Sequence, residues 1–194
     1  PTIYHVAGVF LEQNICKRIG RTIGLFNLPQ TEISPHSDIV SYYDNLHSLK
    51  KIHLGIVGKY TESADTYLSL ISAIQHASYH LNVQTVINWI SSDTDLTVDL
   101  SIYDAFIIPG GFGSRGISGK LSAARYAREN KIPILGICLG MQVMVIDSLR
   151  SIDLNVTSKE WTELPIDDDT QFAIDILPGQ TSVKGGTMRL GNYI

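Results

Sequence analysis

Residues 136–140, GICLG, place a cysteine between two glycines where an apolar run gives way to a helical pattern. This Gly-x-nucleophile-x-Gly spacing is typical of a nucleophile elbow, a tight strand-to-helix turn whose glycines leave room around the reactive side chain. A thiol there stands at a helix N-terminus, where the positive end of the helix dipole favours the thiolate. The backbone N–H of Leu139 would face the oxyanion of an attacked carbonyl group. The motif predicts Cys138 as the nucleophile of an acyl transfer, the alternative being a buried structural cysteine.

A second glycine-rich segment, PGGFGSRG, occupies residues 109–116 and follows another apolar run. Its distance from Cys138 along the chain is about that of one crossover between neighbouring parallel strands. The two segments are therefore expected to be neighbours, and the glycines would let the backbone present a second N–H to an oxyanion. Taken alone, a glycine pair after a strand is also typical of a simple turn.

Short apolar segments alternate with amphipathic ones from residue 51 onward. The segments IHLGIV, QTVINWI, DAFII and IPILGI predict strands, and helices are predicted from near Asp65 and over SGKLSAARYAREN and GMQVMVIDSLR. Four apolar residues of the last segment have the spacing of a core-facing stripe: Met141, Met144, Val145 and Leu149. This alternation indicates an α/β fold, a mostly parallel sheet flanked by helices. Both glycine-rich segments follow strand ends, where such sheets carry their functional sites.

The first fifty residues show no recognisable chemistry. Leu11, Ile15 and Ile19 recur at helical spacing, and a second short helix is predicted over residues 37–49. Between them, residues 21–36 contain prolines, a glycine and polar side chains that are typical of a connecting loop.

The composition restricts the class of protein. Hydrophobic residues make up 44% of the 194 residues and charged residues 18%, which is typical of a globular chain. A net charge of −4 gives no basic footprint for nucleic acid, and no apolar run is long enough to span a membrane. Cys16 and Cys138, the two cysteines, make a poor disulfide framework or metal site, so a reducing, cytoplasmic compartment is expected. Because the chain opens on Pro1 and closes on MRLGNYI, we expect a piece of a longer protein.

Four motifs carry a resemblance to a known family. PGGFGSRG, PILGICLGMQ, TSKEW and GGTMRLG together resemble the class-I glutamine amidotransferase domain of the CTP synthase family. GKYTESADTYLSLISAI is similar to the opening of that domain, and PTIYHVAGVFLEQNICKRIG to the end of the synthetase domain before it. The resemblance implies a flavodoxin-like fold. Residues 1–50 would end a synthetase (amidoligase) domain plus linker, and residues 51–194 would form the amidotransferase domain, incomplete at its C-terminus.

The resemblance also implies a role for each matched position. Cys138 would attack the side-chain amide of glutamine, forming a glutamyl thioester and releasing ammonia, with Gly111 and Leu139 as the oxyanion hole. It implies a glutamine pocket formed by Gly111, Leu139, Gly140, Met141, Gln142 and Glu160. Glu160, in TSKEW, matches the glutamate that holds the α-amino group, although by itself it would be taken for a solvated surface carboxylate.

Further expectations concern the whole enzyme of the family. Ammonia would pass through a tunnel to the synthetase site, where UTP phosphorylated by ATP is aminated to CTP with magnesium present, a ligase reaction of pyrimidine biosynthesis in a homotetramer. GTP would act as allosteric activator, with Lys59, Tyr60, Arg115 and Gly116 as candidate contacts. Ser118 departs from the pattern, because the family commonly has an acidic residue there. The chain itself is expected to hold no metal.

The general base of such a cysteine amidase is a histidine oriented by a carboxylate. In the family these come from a His-x-Glu motif beyond GGTMRLG, and none of the six histidines of this sequence matches it, so the chain alone is expected to be inactive. Two alternatives remain at this point. One is another class-I amidotransferase subunit, such as that serving GMP or anthranilate synthesis, and the other is a non-catalytic remnant that only binds or assembles.

Overall fold

The computed structural model describes residues 3–26, 34–59, 64–93, 98–161 and 166–175. The chain divides into two compact units, one of residues 1–51 with 69–85 and one of residues 52–68 with 86–194. Within the described ranges, no helix combines the length and the apolar character that crossing a membrane requires.

The first unit is helical. It contains α1 (His5–Glu12), α2 (Ile15–Thr22), α3 (Ser34–Asp44) and nearly all of α4 (Leu68–Leu81). The helical pattern of the first twenty residues is divided at Asn14, whose φ of 52° is a left-handed conformation that asparagine tolerates better than most residues. Tyr42 is buried, and its hydroxyl donates to the carbonyl oxygen of Val83 at 2.8 Å. The prediction that α4 starts near Asp65 was wrong, because a 3₁₀ turn over Ala64–Tyr67 precedes the helix.

Among the described residues, the second unit is built on a sheet of four strands in the order β2-β1-β3-β4. The strands are β1 (Lys51–Gly58), β2 (Gln84–Ser91), β3 (Ala105–Ile108) and β4 (Ile134–Gly136). Strand β3 pairs in parallel with both β1 and β4. All four strands coincide with the apolar segments of the sequence, which confirms the predicted α/β class with a parallel sheet.

Two helices of the second unit hold the strand ends in place. Helix α5 (Ile117–Glu129) and helix α6 (Leu139–Arg150) share a core with β1 and β3 that includes Val57, Phe106 and Ile108. Asp147 of α6 is buried, and Arg128 of α5 donates to it at 2.8 Å through Nε, which raises the pKa of Arg128. A second, small sheet pairs β5 (Val156–Ser158) in parallel with β6 (Gln171–Ile174).

The stripe predicted for α6 was partly wrong. Met141 is 49% exposed and Val145 is also exposed. Met144 packs against the core but is only partly buried. The buried residues of the helix are Leu139, Gly140, Val143, Ile146 and Asp147.

Candidate active site at the carboxyl ends of the strands

Cys138 lies in the turn between β4 and α6, as the N-terminal cap residue of α6. Its φ of 53° and ψ of −109° put a non-glycine residue in a sparsely populated conformation, which costs about 1–3 kcal/mol. The thiol side chain is exposed. The chain turns immediately, since the N–H of Gly140 donates to the carbonyl oxygen of Ile137 at 2.9 Å. The turn therefore presents the sulfur to solvent at the start of a helix.

The glycines of the turn are required by close backbone packing. A Cβ at Gly140 would overlap the carbonyl oxygen of Ile108 and lie 2.8 Å from its carbonyl carbon. A Cβ at Gly136 would lie 2.5 Å from the carbonyl carbon of Gly140. The first turn of α6 thus packs directly against the end of β3, which only glycine permits.

Replacing Gly140 by alanine is expected to lower the free energy of unfolding by more than about 3 kcal/mol, because the atoms that overlap are backbone and cannot rotate away. Denaturant unfolding measures the loss. Gly8 in α1 is the matched control, since nothing lies within 4 Å of a Cβ there and alanine is favoured in a helix by about 1 kcal/mol. Equal stability of Gly140→Ala and the wild type would contradict the close packing.

The bend after β3 lies against the cysteine turn. A Cβ built on Gly110 would lie 3.5 Å from Cβ of Cys138, and one on Gly111 would lie 3.6 Å from Cδ2 of Leu139. The N–H of Ile137 donates to the carbonyl oxygen of Ile108 at 2.9 Å, which ties the two strand ends together. The expectation that the two glycine-rich segments are neighbours is confirmed. Leu139 is the first residue of α6, so the helix leaves its N–H without an intrahelical acceptor.

Two predicted pocket residues, Gln142 and Glu160, come together. Nε2 of Gln142 donates to Oε2 of Glu160 at 3.0 Å, and Nε1 of Trp161 donates to Oε1 of Gln142, also at 3.0 Å. Glu160 is exposed, whereas Trp161 is buried. Trp161 was not among the predicted site residues. The sequence did offer one indication, because Trp161 follows Glu160 in the TSKEW motif. A buried indole N–H requires a hydrogen-bond acceptor, and polar residues of the site can supply it.

Comparison with known proteins decides the family. The model of the glutamine amidotransferase class-I family matches residues 63–193, more than half of the chain. The chain belongs to the class-I glutamine amidotransferase family. It is 39% identical to CTP synthase of Shouchella clausii and 41% identical to CTP synthase of Methanothermobacter thermautotrophicus. Each match covers 99% of this chain and 36% of the relative, so the chain spans about a third of the length of these curated relatives.

A solved structure shows the same likeness. It is the glutaminase domain of Trypanosoma brucei CTPS with bound acivicin, 36% identical to this chain with a TM-score of 0.51. The match covers 56% of this chain and 45% of that one.

Among the amidotransferase residues predicted here, the structure brings Cys138, Gly111, Leu139 and Gly140 together at the ends of β3 and β4, with Met141 exposed beside them.

Cationic side chains lie close to the bend after β3. Nζ of Lys59 donates to the carbonyl oxygen of Phe112 at 2.5 Å, and Nε of Arg115 lies 3.2 Å from Oδ1 of Asp93. Burial and the nearby charge of Arg115 lower the pKa of Lys59, partly offset by Asp93. Gly116, with a φ of 75°, caps α5. These groups include three of the four candidate GTP contacts, whereas Tyr60 lies outside the described residues.

Lys120 is a further cation that sequence reasoning missed. It is 1% exposed, and its Nζ would lie 3.8 Å from a Cβ built on Gly111. Burial lowers its pKa to about 8, helped by the charge of Lys59 and opposed by Asp93. A lysine in an amphipathic helix usually faces solvent, so no signal in the sequence distinguished it. Ser118, two residues before it, is exposed.

The histidines with described side chains fall into two sets. His5, His47, His76 and His80 belong to the first unit, and His53 lies near the beginning of β1, away from the strand ends that carry the site. The GGTMRLG motif lies outside the described residues. In the part of the chain that the structure describes, no cluster of His, Cys, Asp and Glu side chains could hold a metal ion.

Proposed function

We propose that this chain belongs to a CTP synthase and supplies the nucleophile, Cys138, of its glutamine-hydrolysing step. One observation carries the proposal: an exposed thiol at a φ of 53°, at the start of α6 and against the glycine bend after β3. A strained elbow of this kind is maintained where a nucleophile must stand clear of the backbone. Membership of the amidotransferase family and the likeness to CTP synthases support the same reaction.

In the proposed first step, the thiolate of Cys138 attacks the side-chain carbonyl carbon of glutamine, and the C=O electron pair moves to the oxygen. The backbone N–H groups of Leu139 and Gly111 are the candidate donors to that oxyanion. Collapse of the intermediate breaks the C–N bond, and the nitrogen takes up a proton and leaves as ammonia. Water then cleaves the thioester to glutamate and regenerates the thiol. The proton transfers need a general base, for which we propose the histidine of a His-x-Glu motif, as the resemblance implies.

The substrate's amino group is proposed to bind Glu160. This carboxylate is exposed, and Gln142 occupies only one of its two oxygens, so the other can accept a hydrogen bond from an ammonium group. Gly140, Met141 and Gln142, in the first turn of α6, would line the pocket between Glu160 and the thiol. A glutamine would thereby be held by its amino group while its side-chain amide reaches Cys138.

The ammonia is proposed to serve the ATP- and magnesium-dependent amination of UTP to CTP, in the cytoplasm and in a homotetramer. The chain is similar to CTP synthases over nearly all of its length, and this similarity favours UTP as the ammonia acceptor over the acceptors of other amidotransferases. GTP is proposed to activate the reaction through Lys59, Arg115 and Gly116, with Tyr60 as a further candidate. The support is a group of cations beside the bend that carries Gly111. Ser118 offers no carboxylate for this contact.

Labelling with acivicin tests the nucleophile. Incubation of the full-length protein at neutral pH followed by peptide mass spectrometry is expected to find the adduct on Cys138, and excess glutamine is expected to protect it. Cys16 is an internal control, because both thiols are exposed and a difference in labelling reports more than access. Equal labelling of both cysteines, or none at Cys138, would support the non-catalytic alternative.

A further inference from the structure

The side-chain amide of Gln142 is held at both ends. Its NH₂ group donates to Glu160 and its oxygen accepts from Trp161, each at 3.0 Å. An amide can rotate by 180° and exchange these two ends, since nitrogen and oxygen are nearly the same size. The indole N–H is a donor only, so the end of the amide that faces Trp161 must be the oxygen. Trp161 therefore decides that the donor end of Gln142 faces Glu160.

The indole is itself firmly placed. Trp161 is 3% exposed and belongs to the buried core cluster of the second unit, together with Leu139 and Val143 of α6. Glu160, by contrast, is exposed and stands just after β5, with its own N–H donating to Oγ of Ser158 at 3.1 Å. An exposed glutamate side chain otherwise samples several rotamers. The position of the carboxylate thus depends on a hydrogen bond from Gln142.

We propose that Trp161 is a positioning residue for glutamine binding: its indole N–H orients Gln142 so that Gln142 holds the Glu160 carboxylate ready for the substrate's α-amino group. This inference rests on the proposed function. If the indole N–H were removed, the amide could turn its oxygen towards the carboxylate, and the two would repel. Glu160 would then leave the position in which its free oxygen meets the ammonium group.

Trp161→Phe in the full-length enzyme tests the proposal, because it removes the N–H and retains an aromatic ring. We expect the KM for glutamine to rise about 5- to 30-fold, the effect of losing a hydrogen bond that supports a charged contact. Ammonia-dependent synthesis is expected to remain unchanged. Trp89→Phe is the matched control. Trp89 stacks on Tyr67, and its replacement by phenylalanine is expected to leave the KM for glutamine unchanged.

Two further measurements separate positioning from general damage. Glutaramate, which is glutamine without the α-amino group, is expected to be hydrolysed equally well by Trp161→Phe and the wild type. In a Gln142→Ala background, Trp161→Phe is expected to change the KM no further. If the phenylalanine variant fails to fold, 3-benzothienylalanine at position 161, in a Trp89→Phe background, replaces the N–H by sulfur at nearly the same shape.

The outcomes are distinct. An unchanged KM for glutamine, an equal loss with glutaramate, or a full additional effect in the Gln142→Ala background would each overturn the positioning role. If the wild-type enzyme hydrolyses glutamine and Trp161→Phe has the same KM for glutamine, this inference alone is refuted. A wild-type enzyme without glutaminase activity would refute the proposed function instead.

Discussion

Replacing Cys138 by alanine is expected to reduce glutamine-dependent CTP synthesis at least about 10³-fold and to leave ammonia-dependent synthesis near the wild-type rate. In the proposed mechanism the sulfur forms the thioester, and no other exposed thiol stands at the ends of β3 and β4 within the described residues. Alanine retains the Cβ, so the substitution adds no backbone strain at this φ of 53°. The loss should therefore be chemical and not a consequence of unfolding.

Both activities are measured on the same full-length preparation, with glutamine or ammonium chloride as nitrogen source. Cys16→Ala is the matched control and is expected to retain both, because Cys16 lies in α2 of the first unit. Loss of both activities in Cys138→Ala would mean that the cysteine is structural. Retention of glutamine-dependent synthesis would remove Cys138 from the mechanism.

Replacing Lys120 by methionine is expected to stabilise the protein by up to about 3 kcal/mol at pH 7. The folded structure lowers the pKa of this buried ammonium from 10.5 to about 8, and one pKa unit corresponds to about 1.4 kcal/mol. Burial is the largest cause, and the charge of Lys59 adds to it. Methionine has a similar length and no charge, so it fills the same space without that cost.

The pH dependence gives the sign of the effect. Between pH 8 and 10.5 the unfolded chain binds this proton and the folded protein does not, so the contribution of Lys120 to stability rises with pH. Below pH 8 both states are charged, and the full cost remains. The advantage of Lys120→Met is therefore expected to be largest at pH 7 and to shrink towards pH 10.5.

Urea unfolding at pH 7, 9 and 10.5 measures this difference between variant and wild type, so that groups common to both cancel. Lys17→Met is the matched control, an exposed lysine in α2 whose replacement is expected to change stability by less than about 0.5 kcal/mol at each pH. A variant less stable than the wild type at pH 7 would show that the ammonium makes a favourable contact that outweighs its burial.

The local part of the structure could be predicted from the sequence. The four strands follow apolar runs because a strand buried in a parallel sheet needs apolar side chains on both faces. The elbow at Cys138 was predictable because the Gly-x-Cys-x-Gly spacing lies within five positions, whereas the contact of Gly140 with Ile108 of β3 does not show in the sequence. The pairing of the two glycine-rich segments followed from the length of one crossover.

Contacts between distant residues were decided by the tertiary structure. The burial of Lys120 and the exposure of Met141 depend on which face of a helix meets the sheet, and helical spacing alone does not select that face. Gln142 meets its partners 18 and 19 positions away, in a segment that follows β5. Sequence thus determined where a nucleophile could stand, because the motif of a strand-to-helix turn is a short run of neighbouring residues. Packing across the core determined which side chains surround it.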